Sequence, residues 1–291
     1  MKLGGLEAGG TKMVCAVGDR EGTVLEREMF PTLTPNETIP HIVDFFARHE
    51  ISALGVGGFG PLDLMEGSET YGFITNTPKT AWIDYPLLDT LKQKLDVPVK
   101  LTTDVNAAAL AESEKGAAKG LDSCLYITVG TGIGAGAMVH GEMLHGLSHP
   151  EMGHISIPRH KADTFKGICS YHNDCLEGLA AGPAIEARWG ESGHALAEKP
   201  EVWEMEAHYL AEALVQYILI LMPKKIVLGG GVMKQPQLFP LIETHVKKRI
   251  GSYVPFLEDR NYIVPPGLGD NAGVTGALLL GHQALEEAQA V

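Results

Sequence analysis

No apolar run in this 291-residue chain approaches the ~18–20 residues that cross a bilayer. The longest candidate, Leu214 to Met222, is the length of part of one buried helix, so no membrane partner is expected. Positive charge is scarce as well. Lys and Arg number 23 against 36 Asp and Glu, a net charge of −13, and the densest basic cluster is Lys247, Lys248 and Arg249. Nucleic-acid binding depends on cationic clusters that neutralise phosphate, so no nucleic-acid partner is expected and the cluster reads as a solvated helix end. With four cysteines the chain is not a disulfide scaffold, and Cys15 and Cys124, each inside an apolar run, read as inert core residues. The first residues lack a basic stretch followed by an apolar run and a cleavage site, so the expected location is the cytoplasm. Two nucleotide fingerprints are also missing. No GxGxxG precedes a helix and no loop ends in GK[ST], which disfavours the dinucleotide and P-loop folds.

What remains is an ordinary globular composition, 45% hydrophobic and 20% charged, in a chain long enough for two domains. LGGLEA, MVCAVG and TVLEREMF are short strand-like runs separated by turn signals, the pattern of a meander. A helix over Glu37–His49, a strand at ALGVGGFG, a strand over 97–104 and a helix over 106–118 follow. The opening pattern then recurs at 123–141, SCLYITVGTGIGAGAMVHG, which suggests two similar halves. An irregular segment at 145–182 is rich in His, Cys and Gly. A helix over Val202–Met222, a strand at 225–231, a helix near 236–250, a strand at 261–266 and a terminal helix over Asn271–Ala288 complete the chain. The Ala/Gly/Leu face of the last helix is too apolar to stand alone, so it is expected to pack back across the hinge.

Four glycine-rich turns, EAGGTK, GVGGFG, VGTGIGAG and LGGGV, accompany predicted strands. Each by itself is what a hairpin needs, because glycine accepts positive φ. Each is also what a loop needs when its backbone must approach a phosphate. Separately, His154, Cys169, His172 and Cys175 offer two imidazoles and two thiolates within one short segment. That set suits a closed tetrahedral Zn²⁺ site, and four protein ligands leave no open position, so the metal would be structural. His145, His149 and His160 stay open as alternative ligands, with His160 the more solvent-facing. Asp104 closes an apolar strand just before a helix, a natural N-cap position.

The two Gly/Thr hairpins, one in each half, resemble the phosphate loops of the actin/hexokinase superfamily. Glu-x-Gly-His at 151–154, the Cys-containing cluster and Cys-x-Glu at 175–177 resemble the signature of the ROK family of repressors and sugar kinases, over essentially the whole chain. EAGGTK and TPKTAW, Thr77 to Trp82, are most similar to its bacterial fructokinase branch. The resemblance implies an α/β fold of two ribonuclease H-like lobes around a nucleotide cleft, with a small zinc-bound subregion. The lobes would be 1–110 plus about 271–291, and 111–270 with the zinc segment at 145–182. It implies ATP contacts from Gly9, Gly10, Thr11 and Lys12, from Gly130, Thr131 and Gly132, from Pro183, and from Gly229, Gly230, Gly231, Val232 and Met233. Asp104 becomes the general base, and Glu151, His154 and Glu177 the sugar ligands. Thr103 stands at a sugar-contact position where relatives often carry Asn. His172 stands where relatives often carry Cys, and Zn²⁺ accepts either. Glu7 stands where the superfamily usually has Asp helping to hold hydrated Mg²⁺. The implied activity is ATP-dependent phosphorylation of a hexose, fructose in first place, by a homodimer. A mannose or glucose kinase and a non-catalytic sugar-binding protein are the alternatives. A repressor is disfavoured, because the first glycine loop begins within the first ten residues and leaves no room ahead of it for a helix-turn-helix.

Overall fold

The computed structural model describes residues 1–254 and 261–290. Its frame is two five-stranded sheets of the same topology. In the first, β1 (Leu3–Ala8), β2 (Lys12–Gly18), β3 (Val24–Pro31), β4 (Leu54–Gly58) and β5 (Val99–Thr103) lie in the order β3-β2-β1-β4-β5. In the second, β6 (Cys124–Val129), β7 (Ile133–Val139), β8 (Glu142–Met143), β9 (Ile226–Gly229) and β10 (Ile263–Val264) lie in the order β10-β9-β6-β7-β8. Each opens with an antiparallel meander and adds two parallel strands beside its first strand. The expected internal echo is therefore a repeat of topology as well as of sequence.

Helices cover and join the sheets. α1 (Pro35–His49) starts at a capping box in which the Thr34 N–H and hydroxyl both donate to Glu37. It buries Ile39, Ile42, Phe45 and Phe46 against the first sheet. α2 (Leu87–Leu95) buries Leu87, Leu88 and Leu91 in the same core and was not anticipated. α3 (Asp104–Glu114) is buried on nearly every side from Val105 to Ser113. It begins two residues earlier and ends four residues sooner than the composition suggests, because Lys115 and Gly116 close it with bonds to Ala111 and Glu112. α4 (Leu176–Ala180) and most of α5 (Gly182–Trp189) occupy or follow the segment expected to be irregular. α6 (Pro200–Leu221) and α7 (Leu238–Ile250) cover the second sheet, and α7 ends in the basic cluster, with Arg249 paired to Glu212 at 3.0 Å.

α8 (Ala272–Gln289) buries its Ala/Gly/Leu face on β1 and β4, with Leu278 and Leu280 fully buried. It also crosses α3 at close range, since a Cβ added to Gly276 would lie 1.8 Å from the Ala107 carbonyl oxygen. Nothing larger than glycine fits there. α3 and α8 thus form the shared layer between the sheets, and Val105, Ala107, Tyr126, Val227 and Leu280 make up a core of their own. Among the described residues no helix is long and apolar enough to cross a membrane.

Candidate active site and metal cluster

Asp104 stands where the first sheet ends and the shared layer begins. Thr103 caps α3, its hydroxyl accepting from the Asn106 amide at 3.2 Å, so Asp104 is the first helical residue and not the N-cap. That corrects the capping role and frees the Asp104 carboxylate. One of its oxygens accepts from the Val105 amide at 2.9 Å. Burial, together with the charges of Glu7 and Glu151, raises its pKa to about 7. Thr103 is buried, with its hydroxyl committed to the cap.

Glu7, on β1, approaches from the other side. Burial raises its pKa, against the lowering fields of Lys12 and Arg27. Its carboxyl lies where a Cβ on Gly273 would stand, 2.6 Å from Cδ, so the start of α8 is cut away to seat it. Burial raises the pKa of the Tyr126 hydroxyl on β6, with the charges of Glu7, Glu112, Asp104 and Asp270 adding to it. Tyr126 Oη lies 2.7 Å from where a Gly229 Cβ would be, so β6 and the end of β9 meet there.

The first hairpin, Gly9 to Lys12, is closed by the Gly9 amide on the Lys12 carbonyl at 3.0 Å. It is pinned by Thr32, whose hydroxyl donates to the Gly9 carbonyl and whose amide donates to the Thr11 carbonyl. Gly10 has open space where a side chain would be, and Thr11 and Lys12 are exposed. In the second hairpin Thr131 is exposed and Gly130 donates its amide to the Gly132 carbonyl. The Gly130 carbonyl accepts from Gly182, which sets Pro183 and the start of α5 beside this turn. Gly230 holds φ +92, and a Cβ there would lie 2.3 Å from the Val129 carbonyl oxygen. Gly231 faces open space, while Val232 and Met233 anchor the loop in the core.

Glu177, at the start of α4, is tied to the second hairpin: its Oε2 accepts from the Ile133 amide at 2.9 Å. Its Oε1 lies 4.0 Å from Nε2 of His154. Burial raises the pKa of Glu151, against the lowering field of His154.

His154 joins this carboxylate pair to the cysteines. Its Nδ1 lies 3.7 Å from Sγ of Cys169 and 3.5 Å from Sγ of Cys175, and Nδ1 of His172 lies 3.8 Å from Sγ of Cys169. Tetrahedral zinc with S and N ligands separates its donors by about 3.3–3.8 Å. One donor atom from each of the four residues falls within 4.8 Å of the others, so the set is able to hold a metal ion. His149 and His160 do not join it. His149 accepts from the Leu62 amide, and His160 is half-buried against His208 at 4.9 Å between ring centroids, not turned to solvent. Cys15 and Cys124 are fully buried, and burial pushes both thiols up, Cys124 to about 12.

Sequence reading did not single out Tyr126 or Gly273, which border Gly229 and Glu7. Gly273 lies in GLGDNAG at the start of the terminal helix, a glycine-rich turn of the kind singled out elsewhere; Tyr126 looked like one more strand residue.

Twin sheets joined by two crossing helices, glycine hairpins at the first turn of each sheet and an acid at the head of the joining helix define a class of two-lobed sugar-kinase-like proteins. Residues 3–284 match the ROK family, and the chain belongs to it. Curated relatives 41–58% identical include the fructokinase of Pediococcus pentosaceus, 45% identical over 99% of this chain and 100% of its own. Among solved structures, the ROK hexokinase from Thermus thermophilus superposes with a TM-score of 0.81 at 29% identity, covering 99% of this chain and 100% of that one. A ROK family glucokinase from Streptomyces griseus, solved with glucose and AMPPNP, gives a TM-score of 0.77 at 25% identity over 97% of this chain and 100% of that one.

Proposed function

We propose that this protein is an ATP-dependent hexose kinase that phosphorylates fructose at its primary 6-hydroxyl. The observation that carries the reading is Asp104, a carboxylate freed from capping at the junction of the two sheets and raised to about 7. A base of that strength is half ionised near neutral pH and takes up a proton readily. The sugar hydroxyl loses its proton to Asp104 as its oxygen bonds to the γ-phosphorus, and the bond to the bridging oxygen breaks to leave ADP. Glu151, Glu177 and Nε2 of His154 orient the hexose hydroxyls. The backbone N–H groups of the hairpins at Gly9–Lys12 and Gly130–Gly132 hold the phosphates, with Thr11 and Thr131 adding hydroxyls and Pro183 beside them. Gly229 to Met233 receive the adenosine. The AMPPNP bound by the Streptomyces griseus relative supports ATP as donor, and the fructokinase names of the curated relatives support fructose.

Glu7 faces the same space and would hold hydrated Mg²⁺, which supplies charge neutralisation of the triphosphate. The Cys/His set would hold structural Zn²⁺ and fix the His154 ring. Residues 1–110 with about 271–291 would move against 111–270 around α3 and α8 to shut out water. The protein acts as a cytoplasmic homodimer on this reading, without nucleic-acid or membrane partners. A coupled ADP-release assay over a panel of hexoses tests it. Fructose is expected to give the highest kcat/KM; higher values for mannose or glucose would reassign the substrate, and no sugar-dependent ADP would end the kinase reading.

A further inference from the structure

We propose that His149 is a positioning residue that latches the second-sheet half of the molecule onto the first-sheet half and sets the carboxylate of Glu151. The inference rests on the sugar-kinase reading for its consequence and on geometry for its substance. His149 belongs to the segment after β8, yet its Nε2 accepts from the backbone amide of Leu62, beyond β4, at 3.0 Å. Beside it, the Ser148 hydroxyl donates to the Leu62 carbonyl at 3.4 Å. The opposite ring nitrogen, Nδ1, lies 3.4 Å from Oε1 of Glu151. Gly60 faces both groups, since a Cβ there would lie 3.4 Å from Glu151 Oε1 and 3.5 Å from the His149 ring.

The ring is therefore used from both ends. Its side chain is only 6% exposed. Burial lowers its pKa, so the ring is neutral and carries one proton. Nε2 also lies 3.1 Å from the Leu62 carbonyl; in the tautomer assigned, Nε2 accepts from the Leu62 amide and the proton sits on Nδ1, facing Glu151. A second tie runs parallel to it: the Tyr171 hydroxyl, next to His172 in the metal cluster, donates to the Asn76 carbonyl at 3.3 Å. The metal-cluster segment thus reaches over the first-sheet half at two points. Only the His149 point is continuous with a carboxylate of the site. When the two halves are together, Leu62 fixes the imidazole and the imidazole fixes Glu151. When they separate, Glu151 loses its orienting donor. Closure and sugar capture are coupled through one side chain.

The test separates the two ends of the ring. His149→Leu removes the Leu62 bond and the Nδ1 contact to Glu151 and should raise the sugar KM about tenfold or more, the scale of a lost buried hydrogen bond, with the ATP KM within about twofold. His149→Gln keeps an acceptor near the Nε2 position and His149→Asn a donor near the Nδ1 position, so each should fall between wild type and Leu. If the Leu variant does not fold, these two carry the test. Zinc content of all variants should match wild type, and the Leu variant should melt a few degrees lower, as the loss of a buried hydrogen bond requires. A sugar KM unchanged in all three, or ATP and sugar KM rising together, would overturn the proposal. Amide exchange at Leu62 reads the latch without turnover: added sugar should slow it in wild type and not in the Leu variant. A wild type that turns over no hexose would sink the kinase reading alone. Leu62 exchange that is unaffected by His149→Leu would sink the latch alone.

Discussion

Glu177 stands 4.0 Å from Nε2 of His154, while Nδ1 of the same imidazole lies 3.5 Å from the sulfur of Cys175. One ring therefore faces a metal cluster on one edge and a site carboxylate on the other. The carboxylate is itself held by the Ile133 amide at the base of the second glycine hairpin. An ion bound by His154, Cys169, His172 and Cys175 would fix the ring's rotation and so its distance to Glu177.

Zinc removal should accordingly act on the sugar more than on ATP. The wild-type protein is expected to carry about one zinc per chain, and Cys169→Ser or exhaustive chelation to remove it. The sugar KM should rise about tenfold or more, the ATP KM less, and the melting temperature should fall. Elemental analysis beside two-substrate kinetics checks this, and a folded zinc-free protein with full sugar affinity would break the link.

Asp104→Asn should lower kcat by at least ~10²-fold, the scale of a positioned base. Near-normal turnover by a folded variant would remove Asp104 from the chemistry. The same substitution should stabilise the fold at neutral and alkaline pH. A carboxyl raised to about 7 in the folded chain is held there in its protonated form. Its contribution is favourable below the unfolded pKa near 4 and is lost as pH rises through about 7. The variant's advantage should be absent near pH 4, grow across that window and reach up to about 8 °C in Tm at pH 8, from about 4 kcal/mol at about 2 °C per kcal/mol, read from melting curves.

The repeat was legible because each half spells strand, glycine turn and strand in the same order, and the terminal helix because its apolar face needs cover. α2 was not: LLDTLKQKL is short, and what makes it a helix is burial of Leu87, Leu88 and Leu91 against α1 and β5. The cap on α3 was misread because Thr103 and Asp104 are both good capping residues, and only φ/ψ decides between neighbours. The metal set was readable since four ligands share one segment. The approach of Glu7 to Gly273 and of Tyr126 to Gly229 was not, because each joins elements far apart in sequence.

The acid limb of kcat/KM for the sugar should lie near pH 7, reporting Asp104 in the free enzyme. Glu7 is the first charge that raises it, after burial. Glu7→Gln removes that repulsion, so the limb should move to lower pH, even as the maximal rate drops if Glu7 holds Mg²⁺ as proposed. A pH–rate profile for each protein reads the two effects separately. A limb that stays in place would mean Glu7 and Asp104 do not share one space.

Gly230 and Gly231 are adjacent and should respond in opposite ways to alanine. Gly230 sits at φ +92 with the Val129 carbonyl oxygen 2.3 Å from any added Cβ, so backbone on one side and strain on the other leave no accommodation. Gly230→Ala should cost about 1–3 kcal/mol or more and lower Tm by several degrees. Gly231 has no positive φ and nothing within 4 Å of the same atom. Gly231→Ala should therefore melt with wild type, yet raise the ATP KM about fivefold or more, because its methyl enters the space proposed above to receive adenosine. The sugar KM should not move. Calorimetry and nucleotide titration of the pair distinguish a loop whose glycines serve the fold from one whose glycines clear room for a ligand. Equal ATP affinity in Gly231→Ala would take the adenosine away from this turn.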